Sequence, residues 1–557
     1  MRRLQDLLPG SLRAANARLR LLFGSGLALG DLTRVLSDAF GERPAIAAAT
    51  PTPGLADRAR TYADLEDDVA RLAAAHGASG QIGPSPVAIL CANRVDILLH
   101  ALALARIGAV PLPLNHRLRA EEQAAALRVA GVHAIVADSD VAAPLLASPA
   151  GAALPILWTG AGGPPPREGF EVAGWLGAHP EERIASSTLA PGEEPGLLLC
   201  TSGTTGLPKV ARLPSRSLLG AIGRLHALPV GRQSGLRGGR DVILAALPLT
   251  HVMGLATLLG ALCAGVKFIH LERFDAALVL ARIAAEQPNV FVGVPTMYAD
   301  LEAAGAADAD LSSIELWVSA ADAMPPDRAR RFQQYGALAR PKGRKLGTAG
   351  FADVYGMVEL GGPAAVRFYP PAPRGRELPA VGFVLPGFSA RVVGPDGRRL
   401  RMGMAGELQL SGAGVFAGYQ GGDGGSEGGW FATGDLARLG PVGTFAFVGR
   451  SVDRLKVGGF SVFPAEVEAE LRGHPAVAEL AIAGVPDARL GERLVAVVVP
   501  RPGFDPGEFL RWAEGRVAPY RRPREVVEVT ALPAGKNGKL DRRAATRMAR
   551  ERLAAGP

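Results

Sequence analysis

Short apolar or β-branched runs alternate with longer helical patterns from residue 85 onward, and no other feature restricts the fold so tightly. "VAILCA" leads into "VDILLHALALARIGA", "VPLPLN" into "AEEQAAALRVAG", and "HAIVAD" follows. The beat returns in "DVILAALPL", "KFIHLE", "AALVLARIAAEQ", "VFVGVPT" and "ELWVSAA". Parallel strands require a crossover, usually a helix, so this rhythm predicts helix-covered, mainly parallel sheets. After about residue 380 it gives way to Gly-rich turns around "ARVVGPDGR", "GELQLSG" and "TFAFVGR", which predicts a β-rich subdomain over about 380–449. Beyond "GRSVDRLKVGG", the stretches "PAEVEAELRGH", "VAELAIAGVP", "RLVAVVVP" and "GEFLRWAEGRV" predict a small α+β unit. The fold class is therefore α/β: a large N-terminal domain over 1–449, followed by a small α+β domain over 450–557.

A chain of 557 residues, 48% hydrophobic and 20% charged, has enough apolar material for several subdomains and excludes wholesale disorder. The formal charge of +8 suits an anionic ligand, but the basic residues form no long block, which argues against nucleic acid. Cys91, Cys200 and Cys263 form no close pair, so neither a disulfide nor a zinc framework is expected and a reducing cytoplasm suits the chain. Each reads as a small buried hydrophobe. The N-terminus carries Arg13, Arg18 and Arg20 where a secretion signal needs its apolar centre. Ser11 caps a predicted helix there, read as a docking helix on the body rather than a membrane-interface helix. No uncharged apolar run is long enough to cross a bilayer.

"TSGTTGLPKV", residues 201–210, gathers hydroxyls and glycines before a lysine, a composition suited to phosphate because small residues let backbone N–H groups approach an anion. Its spacing is not that of the standard nucleotide loop. "GAGVFA", 412–417, matches a dinucleotide fingerprint, but the Gly-rich "GYQGGDGGSEGG" after it cannot open a helix, so the match is read as accidental. The nine histidines show no metal-ligand spacing.

Polar islands follow in a fixed order: "PLTHVMGL" at 248–255, "VPTMYADL" at 294–301, "SAADAMP" at 319–325, "YGMVE" at 355–359, "TGD" at 433–435, "GRSVDRLKVGGFSVFPAEVE" at 449–468 and "LPAGKNGKLDRR" at 532–543. With "TSGTTGLPKV" they resemble the adenylate-forming superfamily, which holds acyl-CoA synthetases, peptide-synthetase adenylation domains and firefly luciferases. The resemblance runs from "TYADL" at 61 almost to the C-terminus. It implies that ATP activates a carboxylate as an acyl adenylate and that the acyl group then passes to a thiol, with fixed donors and cations meeting the charge that develops.

The resemblance also distributes roles. Thr201, Ser202, Gly203, Thr204, Thr205 and Gly206 would wrap the β- and γ-phosphates of ATP, with Lys209 nearby. Tyr355 would lie against adenine with Phe447 on its other face, Asp435 would accept the ribose hydroxyls, and Arg450 would support the ribose. Glu359 would ligate Mg²⁺. Lys539 would reach the carboxylate and α-phosphate in the first step. The C-terminal domain would be mobile about a hinge at 450–453, bringing Lys456 into the site and setting Gly459 beside the channel for CoA. His251 would gate the acyl side, with Ala320, Ala321 and Gly356 lining it.

Some positions depart from the common pattern. Val358 replaces a threonine, Val452 replaces the usual Asp or Lys of the hinge, and the basic stretch "ALARPKGRKLGTAG" is longer than usual and reads as a solvated insertion. "ADAMP" points to fatty-acid-activating relatives, so the expected substrate is an apolar carboxylate of medium or long chain, an aromatic acid being the alternative. The resulting expectation is a cytoplasmic acyl-CoA ligase using ATP, Mg²⁺ and CoA, with peripheral contact at the inner membrane surface left open. The competing readings are an acyl-AMP ligase that loads an acyl carrier protein and a degenerate, non-catalytic nucleotide- or acyl-binding homologue.

Overall fold

The computed structural model describes residues 16–17, 20, 27–48, 50–55, 59–187, 196–201, 209–226, 239–373, 380–422, 425–450, 453, 455–457, 460–487, 489–533 and 540–554. Packing divides the chain into two compact units, Met1–Ser389 with Ser411–Phe431, and Ala390–Leu410 with Ala432–Pro557. Most of the β-rich stretch thus groups with the C-terminal residues.

The first unit holds the predicted α/β rhythm. Its large sheet runs, in spatial order, Val381–Val384, Gly362–Tyr369, Gly350–Met357, Leu316–Ala320, Val290–Gly293, Val242–Ala245, Lys267–His270, Pro44–Ala48 and Ala59–Thr61. The strands from Gly350–Met357 to Pro44–Ala48 pair in parallel, and those toward either edge pair antiparallel. A second, all-parallel sheet runs Val110–Pro113, Pro86–Leu90, Ala134–Ala137, Ile156–Trp158 and Phe170–Glu171. Strands such as Val290–Gly293 and Ala134–Ala137 are buried along their whole length, as parallel strands covered on both faces must be. Against the large sheet packs an aromatic cluster of Phe291, Tyr298, Trp317, Phe332 and Phe351. Tyr298, from the island "VPTMYADL", is fully buried and its hydroxyl donates to the Val318 carbonyl at 2.8 Å, so that island's tyrosine serves the core.

In the second unit the strands Val477–Asp487 and Gly491–Pro500 form a long hairpin whose alternate side chains serve two cores. Leu480 and Ile482 face a cluster with Phe509 and Val467, whereas Ala481, Ala483 and Val485 face one with Ala545 and Ala549 of the helix Arg542–Ala554. A period of two places one residue set on each face, and this hairpin is buried on both. A four-stranded sheet runs Phe388–Val393, Ala405–Gly412, Phe431–Leu439 and Phe445–Arg450. Beyond Gly412 the chain enters a turn and no helix opens, so "GAGVFA" has no dinucleotide architecture.

Cys91 and Cys263 are buried as expected; burial pushes the thiols of Cys200 and Cys263 up to about 12, away from reactivity. The basic insertion forms a small surface loop: Leu338 and Ala339 bond back to Leu346, Arg340 and Lys345 face Asp310, and Leu346 is exposed. The N-terminal helix, apart from Asn16, Ala17 and Arg20, lies outside the described residues. Among the described residues no helix is long and apolar enough to cross a membrane.

Candidate active site

Parallel strands all end on one edge of a sheet, and ligands of open α/β folds bind there. In the first unit the islands of the sequence fall at that edge. Val242–Ala245 leads to "PLTHVMGL", Val290–Gly293 to "VPTMYADL", and Leu316–Ala320 to "AADAMP". Gly350–Met357 carries Tyr355 and Gly356 at its end and passes directly into the turn Val358–Leu360, which holds Glu359.

Local sterics shape that strand end. A Cβ on Gly356 would lie 2.2 Å from the Gly362 carbonyl oxygen, so only glycine permits the pairing that brackets the bulge between Tyr355 and Gly356. Gly356 therefore has a backbone reason to be glycine, beside any role toward substrate. Gly361 ends the turn at φ +67°, and a Cβ there would meet the Ser217 carbonyl at 2.5 Å. Val358 is buried, where the common pattern has a hydroxyl.

The phosphate-suited stretch is flanked by an antiparallel ribbon, Leu197–Thr201 with Lys209–Leu213, in which Thr201 pairs with Lys209. Residues Ser202, Gly203, Thr204, Thr205 and Gly206 lie outside the described residues. Lys209 is exposed, with its Nζ 5.0 Å from the ring centroid of Tyr419. The Tyr419 hydroxyl donates to Glu359 Oε1 at 2.7 Å. Burial, and then the Glu359 carboxylate beside it, push the Tyr419 phenol well above the usual tyrosine range, so it stays a proton donor. Lys209 and Glu359 are thereby joined through one aromatic residue that the sequence reading did not single out. Its one signal was its rarity, one of seven tyrosines, within a stretch read only as loop.

On the acyl side, His251 is half-buried and caps the helix Val252–Cys263, its Nδ1 accepting from the Met253 N–H at 3.4 Å. This gives the histidine a structural task independent of any gate. Ala320 is buried and ends its strand. Ala321 sits at φ 75°, the left-handed region, which costs an alanine about 1 kcal/mol; the glycine common in relatives would adopt it freely. Beyond it, Met324 is held by Arg367, whose guanidinium donates to the Met324 carbonyl and to Asp353 Oδ2, both at 2.7 Å. Asn93, also missed, tethers the "PLTH" loop: its amide donates to the Leu247 and Glu272 carbonyls and its Oδ1 accepts from the Leu249 N–H. An asparagine in a loop after a strand carries no sequence signal of that task.

The second unit presents its own group. Gly434, at φ +72°, turns the chain into Asp435, which is 4% exposed and lies opposite Arg450 across the ladder of Phe431–Leu439 with Phe445–Arg450. The two residues expected at the ribose are cross-strand neighbours. Phe447, on the same strand as Arg450, is 42% exposed. Lys456 is exposed on the strand Leu455–Val457, its N–H donating to Glu492. Gly459, Val452 and Lys539 lie outside the described residues. Arg542, three residues after Lys539, binds Glu468 through two bonds of 2.6 and 2.8 Å and faces Asp453 at 3.5 Å.

A strand end bearing Tyr355 and Glu359, near the ribbon that flanks the phosphate-suited stretch, agrees with the adenylate-forming class that the motifs resemble. Comparison with known proteins makes the assignment specific. The chain belongs to the AMP-binding enzyme family, whose description matches residues 37–420, and the AMP-binding enzyme C-terminal domain matches 466–539. It is 33% identical over 494 residues to feruloyl-CoA synthase from Amycolatopsis sp, covering 86% of this chain and 92% of that one. It is 32% identical over 501 residues to indoleacetate–CoA ligase from Aromatoleum aromaticum, covering 87% and 92%. Among solved structures, ATP-bound MatB from Rhodopseudomonas palustris superposes with a TM-score of 0.76 at 27% identity, covering 95% of this chain and 100% of that one. The chain is an AMP-forming acid–thiol ligase.

Proposed function

We propose that the protein activates a compact aromatic carboxylic acid with ATP as its acyl adenylate and transfers the acyl group to CoA. One observation carries the catalytic half: a single strand end delivers Tyr355 and Glu359, and Tyr419 ties Glu359 to the ribbon that bears Lys209. The substrate half rests on the two relatives above, named for feruloyl and indoleacetate substrates, each matched over more than nine-tenths of its length. The fatty acid expected from "ADAMP" gains no support from those names and gives way to the aromatic alternative.

In this reading the acid's carboxylate oxygen attacks the α-phosphate, an acyl–phosphate bond forms, and pyrophosphate leaves. Lys209 and the residues from Thr201 to Gly206 hold the departing phosphates, while Asp435 and Arg450 hold the ribose. Lys539 places its cation where charge develops on the α-phosphate. Glu359 suits Mg²⁺, since it offers a hard carboxylate donor, half-buried and oriented by Tyr419, and Mg²⁺ commonly takes one or two carboxylates beside phosphates. Bound there, Mg²⁺ would neutralise phosphate charge. In the second step the CoA thiolate displaces AMP, with Lys456 and Gly459 on the side that admits it.

The test is carboxylate-dependent ATP–pyrophosphate exchange over a panel of cinnamic, arylacetic and C8–C16 fatty acids, repeated with CoA while thioester is followed. Aromatic acids should support exchange best; fatty acids exceeding them would overturn the substrate assignment. Absence of exchange with every acid would favour the non-catalytic reading, and exchange without thioester from free CoA would favour a carrier-protein acceptor. Lys539→Ala should abolish adenylation yet spare thioester formation from supplied acyl adenylate, and survival of both steps would remove Lys539 from its role.

A further inference from the structure

The residues 416–420 form a strap between two motifs that lie far apart in sequence. On one side the strap follows the ribbon. Tyr419 bridges Ala211, the Gln420 N–H donates to the Val210 carbonyl at 2.7 Å, the Arg212 N–H donates to the Gly418 carbonyl at 3.0 Å, and the Ala417 N–H donates to the Arg212 carbonyl at 2.9 Å. On the other side the Phe416 N–H donates to the backbone carbonyl of Glu359 at 2.9 Å. The Phe416 ring meets Tyr419 edge-on at 4.9 Å, which fixes the plane of the tyrosine. The phenol is therefore aimed, with its hydroxyl on Glu359 Oε1 and its ring beneath Lys209 Nζ.

A lysine and a glutamate that both serve a triphosphate face a hazard before the nucleotide arrives. Opposite charges attract, and a direct pair would neutralise both and occupy the donor a cation needs. An aromatic ring offers the ammonium a favourable seat without supplying a countercharge, and a phenol hydroxyl holds a carboxylate through one oxygen without quenching its charge. We infer that Tyr419 is a positioning residue that holds Glu359 and Lys209 apart and preoriented, so that the carboxylate is ready for the divalent cation of ATP and the ammonium for its phosphates. The inference deepens the proposed function and rests on Glu359 receiving the cation.

Tyr419→Phe removes only the hydroxyl, leaving the ring under Lys209 and against Phe416, so the fold should be kept. Mn²⁺ is titrated into the full-length protein with saturating ATP and followed by electron paramagnetic resonance, which needs no turnover. A hydrogen bond to a charged group of this kind predicts roughly tenfold weaker Mn²⁺ binding in the variant. The Mg²⁺ concentration giving half-maximal pyrophosphate exchange should rise by a similar factor, with exchange recovered at high Mg²⁺. Tyr419→Leu, which also withdraws the ring, should raise the KM for ATP in addition. Unchanged Mn²⁺ affinity in Tyr419→Phe would overturn the inference, and so would exchange lowered equally at every Mg²⁺ concentration. A wild-type protein that binds Mn²⁺ with ATP yet exchanges no acid would sink the ligase reading while leaving the titration to decide the role of Tyr419.

Discussion

Gly356→Ala isolates the steric argument at the strand end. The new Cβ would begin 2.2 Å from the Gly362 carbonyl oxygen and 2.8 Å from the Gly362 carbonyl carbon, whereas real Cβ atoms essentially never approach under 3.0 Å. Both obstacles are backbone of the paired strand Gly362–Tyr369, so no side chain can yield; the two strands must separate by about 1 Å. That displacement falls between Tyr355 and Glu359, and a misplacement of about 1 Å can cost about 10²-fold in rate. The expected outcome is carboxylate-dependent pyrophosphate exchange reduced about 100-fold, with circular dichroism showing a folded chain and thermal unfolding moved down by a few degrees. Gly177→Ala is the control, since its Cβ would meet nothing within 4 Å on the helix Val172–Ala178, and it should leave exchange unaltered and stability equal or slightly higher. Exchange within threefold of wild type for a folded Gly356→Ala would refute the claim that backbone contact at this strand end sets the site.

Asn93→Ala removes three side-chain bonds that tether the loop before His251, two donated at 3.3 and 3.0 Å and one accepted at 2.8 Å; at about 1 kcal/mol each the loss should be about 3 kcal/mol in urea unfolding, and a loss under 1 kcal/mol would mean that the loop holds itself. Burial raises Asp353 to about 6, while the Arg367 guanidinium 2.7 Å away opposes the shift. The folded chain then keeps a proton that the unfolded chain releases, so the stability due to Asp353 is complete below about pH 4 and lost as pH rises through about 6. Asp353→Asn should flatten that part of the stability-against-pH curve, and an unchanged slope would assign it to another group. Val358→Thr places a hydroxyl in a buried position of the turn beside Glu359; it should lower the melting temperature yet speed adenylation, and an unaltered exchange rate would show that the valine is compensated.

Local periodicity made most elements legible, because a strand buried on both faces or a helix with one apolar stripe writes its environment into a few consecutive residues. Val290–Gly293, Ala276–Glu286 and Val477–Asp487 are of this kind. Strand order was not legible: Pro44–Ala48 inserts between Lys267–His270 and Ala59–Thr61, a pairing of residues more than two hundred apart that no local pattern encodes. Candidate site residues could be named from motifs, as with Asp435, Tyr355 and Glu359, and the structure places Tyr355 at the end of a strand with Glu359 in the turn that follows it. The supporting residues could not be so named. Asn93 and Tyr419 act through bonds to backbone and side chains remote in sequence, and His251 shows a capping task that its motif gives no hint of.

The order of the islands follows from the topology. In a parallel sheet every crossover returns the chain to the same starting edge, so every strand end reaches the opposite edge in turn. Polar residues needed at one place must then recur at strand ends a whole number of crossovers apart: "VPTMY", "SAADAMP" and "YGMVE" follow one another by single crossovers, and "PLTH" precedes "VPTMY" by two, with Lys267–His270 between them. Such an order reports the sheet as much as the chemistry. What lies between strand end and helix start is free to vary without disturbing the sheet, and that is where His251, Ala321 and Met324 stand. In the proposed function the nucleotide candidates Tyr355 and Glu359 are anchored in strand and turn, whereas the candidates for the acid stand on loop residues whose identity the fold leaves open. Substrate preference should therefore follow exchange of residues 246–251 and 321–325 between relatives more closely than it follows overall identity, and a chimera that keeps its parent's acid preference after both exchanges would contradict this division.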